Sequence, residues 1–203
     1  MLTDAQVERY SRQVILPEVG GRGQARLLAA RVALAGGGEA AAVAAMLLAR
    51  AGIGALDLVD GPDDLPTAAP DCRIRRVTAA PAVDAFVDLH AALERALPSV
   101  QPPTPLVIGR QRGARAVLAV LVGRPCHACL PATALAPDDG PDVPALASAT
   151  ALALGALAAS ETLRALLVRP ETGRRHVVDQ AGGRFEAATL VPIAGCVMCG
   201  GTA

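Results

Sequence analysis

Two cysteine pairs constrain this chain more than any other feature of its sequence. Cys126 and Cys129 form one C-x-x-C motif, and Cys196 and Cys199 form a second, with 66 residues between them. Two intervening residues let both thiolates of a pair reach the same ion, and two pairs complete a tetrahedral shell of four thiolates. The cysteines therefore predict one structural zinc ion with no open position for chemistry.

Two other arrangements of these cysteines stay open, namely two disulfides or four unrelated buried thiols. Zinc is favoured because a chain expected in the cytoplasm seldom keeps disulfides, and because a redox role would need only one pair. His127 lies inside the first motif and is expected to be exposed rather than a ligand. The fifth cysteine, Cys72, falls in a loop-rich connection, and its default interpretation is an ordinary thiol whose role the sequence leaves open.

The composition favours an α/β protein with an aliphatic core. Hydrophobic residues make up 52% of the 203-residue chain, yet it contains only two Phe, one Tyr and no Trp. Such a core suits a parallel sheet that is buried under helices. The 19 basic and 19 acidic residues balance, which argues against binding to nucleic acid or a membrane surface. All the basic residues are Arg, and the chain contains neither Lys nor Asn.

The expected location is the cytoplasm. The N-terminal sequence MLTDAQVERYSRQ is polar and charged, and it predicts no secretory signal. The longest apolar stretch, residues 143–159, is short for a membrane span and is interrupted by Ser148 and Thr150. It therefore predicts a buried helix rather than a transmembrane segment.

The order of predicted elements indicates one domain with a doubly wound, Rossmann-like and mostly parallel sheet. Helices are predicted over residues 4–13, 22–30, 40–51, 84–97 and 145–168. Strands are predicted over residues 31–36, 55–60, 73–77, 105–109, 114–122, 175–179 and 184–190, the last two as a zinc-stapled hairpin. Within the domain 1–203 we distinguish an N-terminal helical segment (1–30), a β-α-β unit (31–64) and a zinc-bearing C-terminal half (104–203).

A glycine-rich turn follows the first predicted strand. Gly36 and Gly38 occupy the first two positions of a dinucleotide fingerprint, G-x-G-x-x-G, with Ala41 as the tolerated substitute at the third. Asp60, at the end of the second strand, is placed to accept a hydrogen bond from a ribose hydroxyl. Glu39 would compete with a bound phosphate for the positive end of the helix. A purely structural turn is the alternative to a nucleotide site.

Taken together, these segments resemble the ThiF/MoeB/HesA family, the bacterial relatives of ubiquitin-activating enzymes. The opening ERYSRQVILPEVGGRGQARL and the unit VALAGGGEAAAVAAMLLARAGIGALDLVD are similar to the start and the nucleotide-binding unit of that family. GRPCHACL and AGCVMCG are similar to its two zinc knuckles, and ALGALAASETLRAL to the long helix between them. The similarity covers about residues 8–64 and 104–200.

The resemblance implies an adenylation chemistry. Such proteins bind ATP and magnesium and adenylate the C-terminal glycine of a small ubiquitin-like or sulfur-carrier protein, or act on a peptide, commonly as dimers. The resemblance assigns Asp60 to the ribose, and it assigns Arg12 to the triphosphate as an arginine finger. Neutralising the charge of the triphosphate lets the carboxylate attack.

The sequence departs from the family pattern where this chemistry lies. The family carries Asn, Arg and Gln on the phosphates, then a Lys and a magnesium-binding Asp, over a segment that is shortened here by tens of residues. Asp84 or Asp88 would have to replace the magnesium ligand, unless each is only a helix-start carboxylate. Arg73, Arg75 and Arg76 would have to supply the positive charge, unless they only line an exposed strand face.

Three functions follow from these observations, and they leave open whether the chain is itself an enzyme. The first is a degenerate copy, a pseudoenzyme with weak or absent ATP and magnesium binding. It would act as a partner or scaffold subunit, in a homodimer or in a heterodimer with a complete family member. The second is an active adenylyltransferase that uses Arg in place of the missing Lys. The third is a small nucleotide-binding protein of unrelated role.

Overall fold

One eight-stranded sheet organises the chain in the computed structural model, which describes residues 2–62, 65, 69–79, 82–90, 103–138 and 143–200. The strands are β1 (Arg31–Ala35), β2 (Ala55–Val59), β3 (Arg73–Val77), β4 (Ala85–Asp88), β5 (Leu106–Arg112), β6 (Arg115–Leu121), β7 (Arg174–Asp179) and β8 (Arg184–Thr189). They lie in the order β3-β2-β1-β4-β5-β6-β7-β8. Neighbours from β3 to β5 are parallel, and neighbours from β5 to β8 are antiparallel. The predicted α/β class with a mostly parallel sheet is confirmed.

The helices of the described residues are α1 (Asp4–Arg9), α2 (Ser11–Val14), α3 (Gly20–Ala29), α4 (Gly38–Arg50) and α5 (Ala147–Val168). The Thr3 side chain accepts from the Gln6 backbone and the Gln6 side chain from the Thr3 backbone, a capping box that starts α1. The Ala- and Leu-rich sequence of α4 suits a helix that is buried on one side. The predicted elements around the β-α-β unit and the C-terminal hairpin are therefore present, with boundaries shifted by one or two residues.

The main core lies between one face of the sheet and the helices α4 and α5. Alternate residues of the parallel strands, such as Val32, Leu34 and Leu56, pack there against Ala and Leu side chains of both helices. A Cβ atom on Gly155 would lie 2.3 Å from the Ala40 carbonyl oxygen. Glycine at this position of α5 therefore allows the two helices to approach closely, which rigidly positions the start of α4.

The predicted helix over residues 84–97 is wrong in its first part. Ala85–Asp88 forms β4, which pairs with β1 on one side and β5 on the other. Residues 91–97 lie outside the described residues. Ala85 and Val87 are fully buried within the sheet. The free energy of this burial exceeds the helix preference of the individual residues, so the segment forms a strand. Asp84 consequently precedes a strand and Asp88 ends it, and neither residue opens a helix.

The connection between the parallel strands β3 and β4 is unusually short. Seven residues, 78–84, link them, although β2 and β1 lie between the two strands in the sheet. A crossover between parallel strands ordinarily takes a dozen residues or more and contains a helix. Seven residues are too few for such a helical crossover.

The segment Pro144–Val168, which includes α5, is long and apolar enough to cross a membrane by length and composition. Half of its most apolar window is buried inside the protein. A core helix of a soluble protein meets the same criterion, so this segment is weak evidence for a membrane span. Its packing against α4, β5 and β6 accounts for its apolar sequence.

Candidate functional site

The four cysteines of the two C-x-x-C motifs converge on one point. The Sγ atoms of Cys126 and Cys129 lie 3.9 Å apart, those of Cys126 and Cys196 3.7 Å, and those of Cys129 and Cys199 3.6 Å. All four ligand atoms lie within 4.8 Å of one another. Four sulfurs bound tetrahedrally at about 2.3 Å from a zinc ion would be about 3.8 Å apart. The donor set and its spacing therefore fit a tetrathiolate metal site.

Local backbone geometry builds this cysteine cluster from two distant segments. Cys126 and Cys129 follow β6, where Cys129 N donates to Cys126 O at 3.0 Å; Cys196 and Cys199 follow β8. Burial raises the pKa of the Cys126 thiol to about 12. Backbone N–H groups of Cys199 and Met198 lower the pKa of the Cys196 thiol to about 6. A divalent cation at the centre would deprotonate the buried thiols as well and tie the C-terminal segment to the sheet.

Cys72 and His127 are not part of the cysteine cluster. All five cysteines are free thiols, which excludes the two-disulfide arrangement in this structure. His127 is half-exposed and is not among the clustered ligands. Cys72 is half-buried, and burial raises the pKa of its thiol to about 11. A thiol with a raised pKa is a weak nucleophile near neutral pH, which agrees with the default interpretation of Cys72 as an ordinary thiol.

The two left-handed glycines of the turn after β1 differ in the space around them. Gly36 has φ +110°, and a Cβ atom there would lie 2.5 Å from the Leu89 carbonyl carbon. Gly38 has φ +83°, and a Cβ atom there would meet nothing within 4 Å among the described residues. Gly36 therefore allows the chain after β4 to cross the turn, whereas Gly38 leaves the first turn of α4 open. The Glu39 carboxylate accepts from Ser148 Oγ at 3.2 Å.

Asp60 lies beside this turn, at the carboxyl end of β2. Its backbone is left-handed, with φ +50°, and its side chain is 69% exposed. A Cβ atom on Gly37 would lie 3.8 Å from the Asp60 carbonyl oxygen. Gly36, Gly38 and Asp60 are thus brought together at the point where the strand order reverses, the usual ligand edge of an open α/β sheet.

Asp88, the last residue of β4, is fully engaged by its neighbours. Its carboxylate accepts from Arg110 at 3.2 and 2.9 Å, and from the His90 backbone N–H at 3.1 Å. Arg110 is 1% exposed. Burial raises the pKa of Asp88, but the hydrogen bonds from Arg110 and His90 outweigh burial, and the net shift is downward. Asp88 is therefore an ionised partner of Arg110, with both oxygens already occupied.

His90 links Asp88 to Asp60. Its Nδ1 atom lies 2.7 Å from Asp88 Oδ1, and its Nε2 atom lies 4.0 Å from Asp60 Oδ2. Nε2 is buried and has no hydrogen-bond partner among the described residues. An Arg-Asp-His-Asp series thus runs from the sheet interior to the edge at the glycine turn. The sequence analysis does not identify His90, because it predicts a helix over residues 84–97; a strand followed by D-x-H would have indicated this residue. It does not identify Arg110, because 22 residues separate Arg110 from Asp88 along the chain.

The R-Y-S-R-Q segment divides into a fixed part and an exposed part. Arg9 NH1 and Tyr10 Oη both donate to Asp71 Oδ2, the latter at 3.1 Å. Tyr10 is 3% exposed, and burial, reinforced by Asp71, raises the pKa of its phenol to about 12. Arg12, in α2, is exposed and has no hydrogen bond or ion pair within the part of the chain that the structure describes.

The three arginines of β3 differ in their hydrogen-bond partners. Arg75, in the edge strand β3, donates to the buried Asp57 of the neighbouring strand β2 at 3.0 and 2.8 Å. Arg76 donates to the carbonyl oxygens of Gly61 and Pro62 at 3.4 and 2.7 Å, next to Asp60. Arg73 is exposed at the start of the strand. Of the three, only Arg76 lies near the glycine-turn edge.

A family model described as the ThiF family matches residues 10–64. The chain is 50% identical over 60 residues to the adenylyltransferase and sulfurtransferase uba4 of Pyricularia oryzae, and 49% identical over 59 residues to MOCS3 of Bos taurus. Over this segment the chain is therefore similar to the ThiF family. The matched segments make up 30% and 29% of this chain but only 12% and 13% of those relatives.

Two solved structures share the fold of this chain over nearly its whole length. E. coli MccB, solved with MccA-N7isoASN, superposes with a TM-score of 0.68 at 14% identity, covering 96% of this chain and 74% of MccB. PaaA gives a TM-score of 0.62 at 13% identity, covering 95% of this chain and 76% of PaaA. At these identities the superpositions establish the fold alone.

Proposed function

We propose that this chain serves the adenylation of a ubiquitin-like or sulfur-carrier protein or of a peptide, as a partner subunit rather than as the adenylating enzyme. The curated relatives are named adenylyltransferases and sulfurtransferases, and MccB has been solved with MccA and with ATP. In this proposal the protein acts in the cytoplasm, carries one structural zinc ion on its four clustered cysteines, and pairs with a complete family member.

The main support for a lost adenylation activity is that the Asp88 carboxylate is already occupied by protein groups. Magnesium binding requires carboxylate oxygens that can face the ion and its waters. Both Asp88 oxygens instead accept hydrogen bonds from the buried Arg110, and Oδ1 also contacts His90. Asp84 lies at the opposite end of β4, where it accepts from the Arg31 backbone N–H at 2.8 Å. Neither candidate carboxylate is therefore arranged to hold magnesium beside the glycine turn.

The partner role is supported by the contrast between Arg9 and Arg12. Arg9 and Tyr10 are satisfied within the chain by Asp71, whereas Arg12 projects from α2 into solvent. An arginine that enters another subunit's site in trans can neutralise triphosphate charge there, an effect worth roughly 10³–10⁵ in rate in arginine-finger systems. Arg12 would act in this way in a heterodimer and would have no corresponding task between two inactive sites.

The test is reconstitution with a full-length family member from the same genome. Co-expressed chains should form a complex by size-exclusion chromatography with light scattering. The complex should adenylate its carrier faster than the relative alone. Arg12→Ala should abolish the stimulation while keeping the complex, and Arg22→Ala, a matched exposed arginine in α3, should leave the stimulation unchanged. A chain that is monomeric at tens of micromolar, and neither binds nor stimulates such a relative, would refute the partner role.

Arg76 supports a second candidate, an active adenylyltransferase with Arg in place of Lys. Its guanidinium is bonded to the carbonyl oxygens of Gly61 and Pro62 and therefore lies close to Asp60. This candidate requires the chain alone to exchange pyrophosphate into ATP, and Arg76→Ala should then abolish the exchange while Arg73→Ala should not.

A further inference from the structure

The first two helices form an arm that attaches to the rest of the protein at few points. We define the N-terminal arm as residues 3–16, which include α1 and α2. Within this arm, which the structure describes throughout, only Tyr10 is buried. The side chains of Val7, Ile15 and Leu16 are 45%, 77% and 47% exposed. Apolar burial therefore holds the N-terminal arm in place mainly through one side chain.

Three donors of the N-terminal arm converge on the carboxylate of Asp71. Its Oδ1 atom accepts from Gln6 Nε2 at 3.1 Å. Its Oδ2 atom accepts from Tyr10 Oη at 3.1 Å and from Arg9 NH1. Positions i, i+3 and i+4 of a helix lie on one face, so the three donors reach Asp71 from the same side of α1. Burial raises the pKa of Asp71, but the three hydrogen bonds outweigh burial, and the net shift is downward. The bonds to this ionised carboxylate are therefore charge-assisted.

Tyr10 connects this anchor to α2, the helix that carries Arg12. The Tyr10 carbonyl oxygen accepts from the backbone N–H groups of Gln13 and Val14 at 2.8 and 2.9 Å, in the first turn of α2. The Tyr10 ring lies against the turn between α4 and β2, where a Cβ atom on Gly52 would be 2.9 Å from the ring Cζ atom. Arg12 therefore belongs to a helical turn that starts at a residue whose ring and hydroxyl are both fixed.

We propose that Asp71 is the positioning residue for Arg12, because it holds the N-terminal arm in one orientation for entry into the site of a partner subunit. This inference rests on the proposed partner role. An arginine on an arm that is ordered before the subunits meet loses less conformational entropy on docking than one on a free arm. Asp71 acts only through Gln6, Arg9 and Tyr10 and is not itself a catalytic residue.

Cleavage by trypsin measures release of the N-terminal arm in the chain alone. The chain contains no Lys, so trypsin cuts it only after Arg, and cleavage after Arg9 and Arg12 reports opening of the arm. Asp71→Asn removes the charge and keeps the side-chain size. It should raise this cleavage rate by roughly tenfold or more, the value of a hydrogen bond to a charged group. Asp71→Glu should restore part of the protection. Glu8→Gln, which removes an exposed carboxylate from the same arm, is the matched control and should cleave as the wild type does.

A second variant keeps the anchor testable if Asp71→Asn fails to fold, which circular dichroism establishes. Tyr10→Phe keeps the ring in place and removes one of the three hydrogen bonds, so it should raise the cleavage rate by a smaller factor. Unchanged cleavage in the folded variants of Asp71 and Tyr10 would overturn the anchor.

The reconstituted complex tests whether the anchor serves Arg12. Asp71→Asn should lower the kcat of the stimulated relative and leave its KM for the carrier unchanged, and Asp71→Glu should recover kcat in step with its protection from trypsin. A released arm that stimulates as well as the wild type would overturn the positioning role. So would an Asp71→Glu chain that regains protection without regaining kcat. A wild-type chain that stimulates no relative would refute the partner role, while the cleavage rates still decide whether Asp71 anchors the arm.

Discussion

Arg110 and Asp88 form a buried ion pair beneath the edge of the sheet that carries the glycine turn. The pair is bidentate, with the Arg110 side chain 1% and the Asp88 side chain 2% exposed. Arg110 NH1 also donates to the Gly109 and Asp88 carbonyl oxygens, at 2.8 and 3.3 Å. The pair removes from the site the carboxylate that could otherwise have bound a metal ion, and it fixes the orientation of His90.

Breaking this pair should destabilise the protein strongly. Arg110→Leu leaves the Asp88 charge buried and unpaired, at a cost of about 3–5 kcal/mol in the free energy of unfolding. Arg115→Leu is the matched control, because Arg115 pairs with Asp179 nearer the surface and should cost about 1 kcal/mol or less. Urea denaturation measures both. The double variant Arg110→Leu with Asp88→Leu should recover part of the loss, and equal losses in the two single variants would contradict this account.

The Arg110–Asp88 pair should make the free energy of unfolding depend on pH in the acid range. The pKa of Asp88 is lower in the folded protein than its unfolded value of about 3.9, so the folded state favours the charged form. This contribution is fully present above about pH 4 and is lost as the pH falls toward the folded pKa. Urea midpoints measured across the acid range should fall more steeply for the wild type than for the double Leu variant, and parallel curves would refute the assignment.

The glycine turn offers a comparison between its two left-handed positions. Both Gly36→Ala and Gly38→Ala force an L-residue into positive φ, which costs about 1–2 kcal/mol. Only Gly36→Ala also drives a methyl group into the backbone at Leu89 and His90. Thermal unfolding should therefore show a clearly larger loss for Gly36→Ala than for Gly38→Ala. If the two substitutions cost the same, the close crossing of the chain over Gly36 is wrong.

The cysteine cluster predicts one zinc ion per chain by elemental analysis. Cys126→Ser or Cys199→Ser should reduce zinc content to near zero and expose residues 190–200 to proteolysis, because metal binding and local folding are coupled. Cys72→Ser, the control, should keep the metal. Protein that is purified under reducing conditions with two disulfides and no zinc would disprove the site.

The sequence predicted the β-α-β unit, the hairpin and the cysteine pairs well because each rests on local spacing. Glycine turns, helix-forming runs and C-x-x-C motifs carry their geometry within a few residues. The predicted helix over residues 84–90 was wrong. The segment A-F-V-D forms a strand because it is buried between β1 and β5, which the local sequence does not reveal. The pairing of Asp88 with Arg110 could not be anticipated either, since 22 residues separate the partners along the chain.

ATP–pyrophosphate exchange by the chain alone tests most directly the proposal that this chain lacks an adenylation chemistry of its own. The assay uses purified protein with candidate carrier proteins or peptides encoded near it, with and without magnesium, and a complete family member as the positive control. We predict no exchange above the protein-free background under any of these conditions. Magnesium-dependent exchange by the wild type that Asp60→Ala abolishes would contradict the account and establish an active adenylyltransferase.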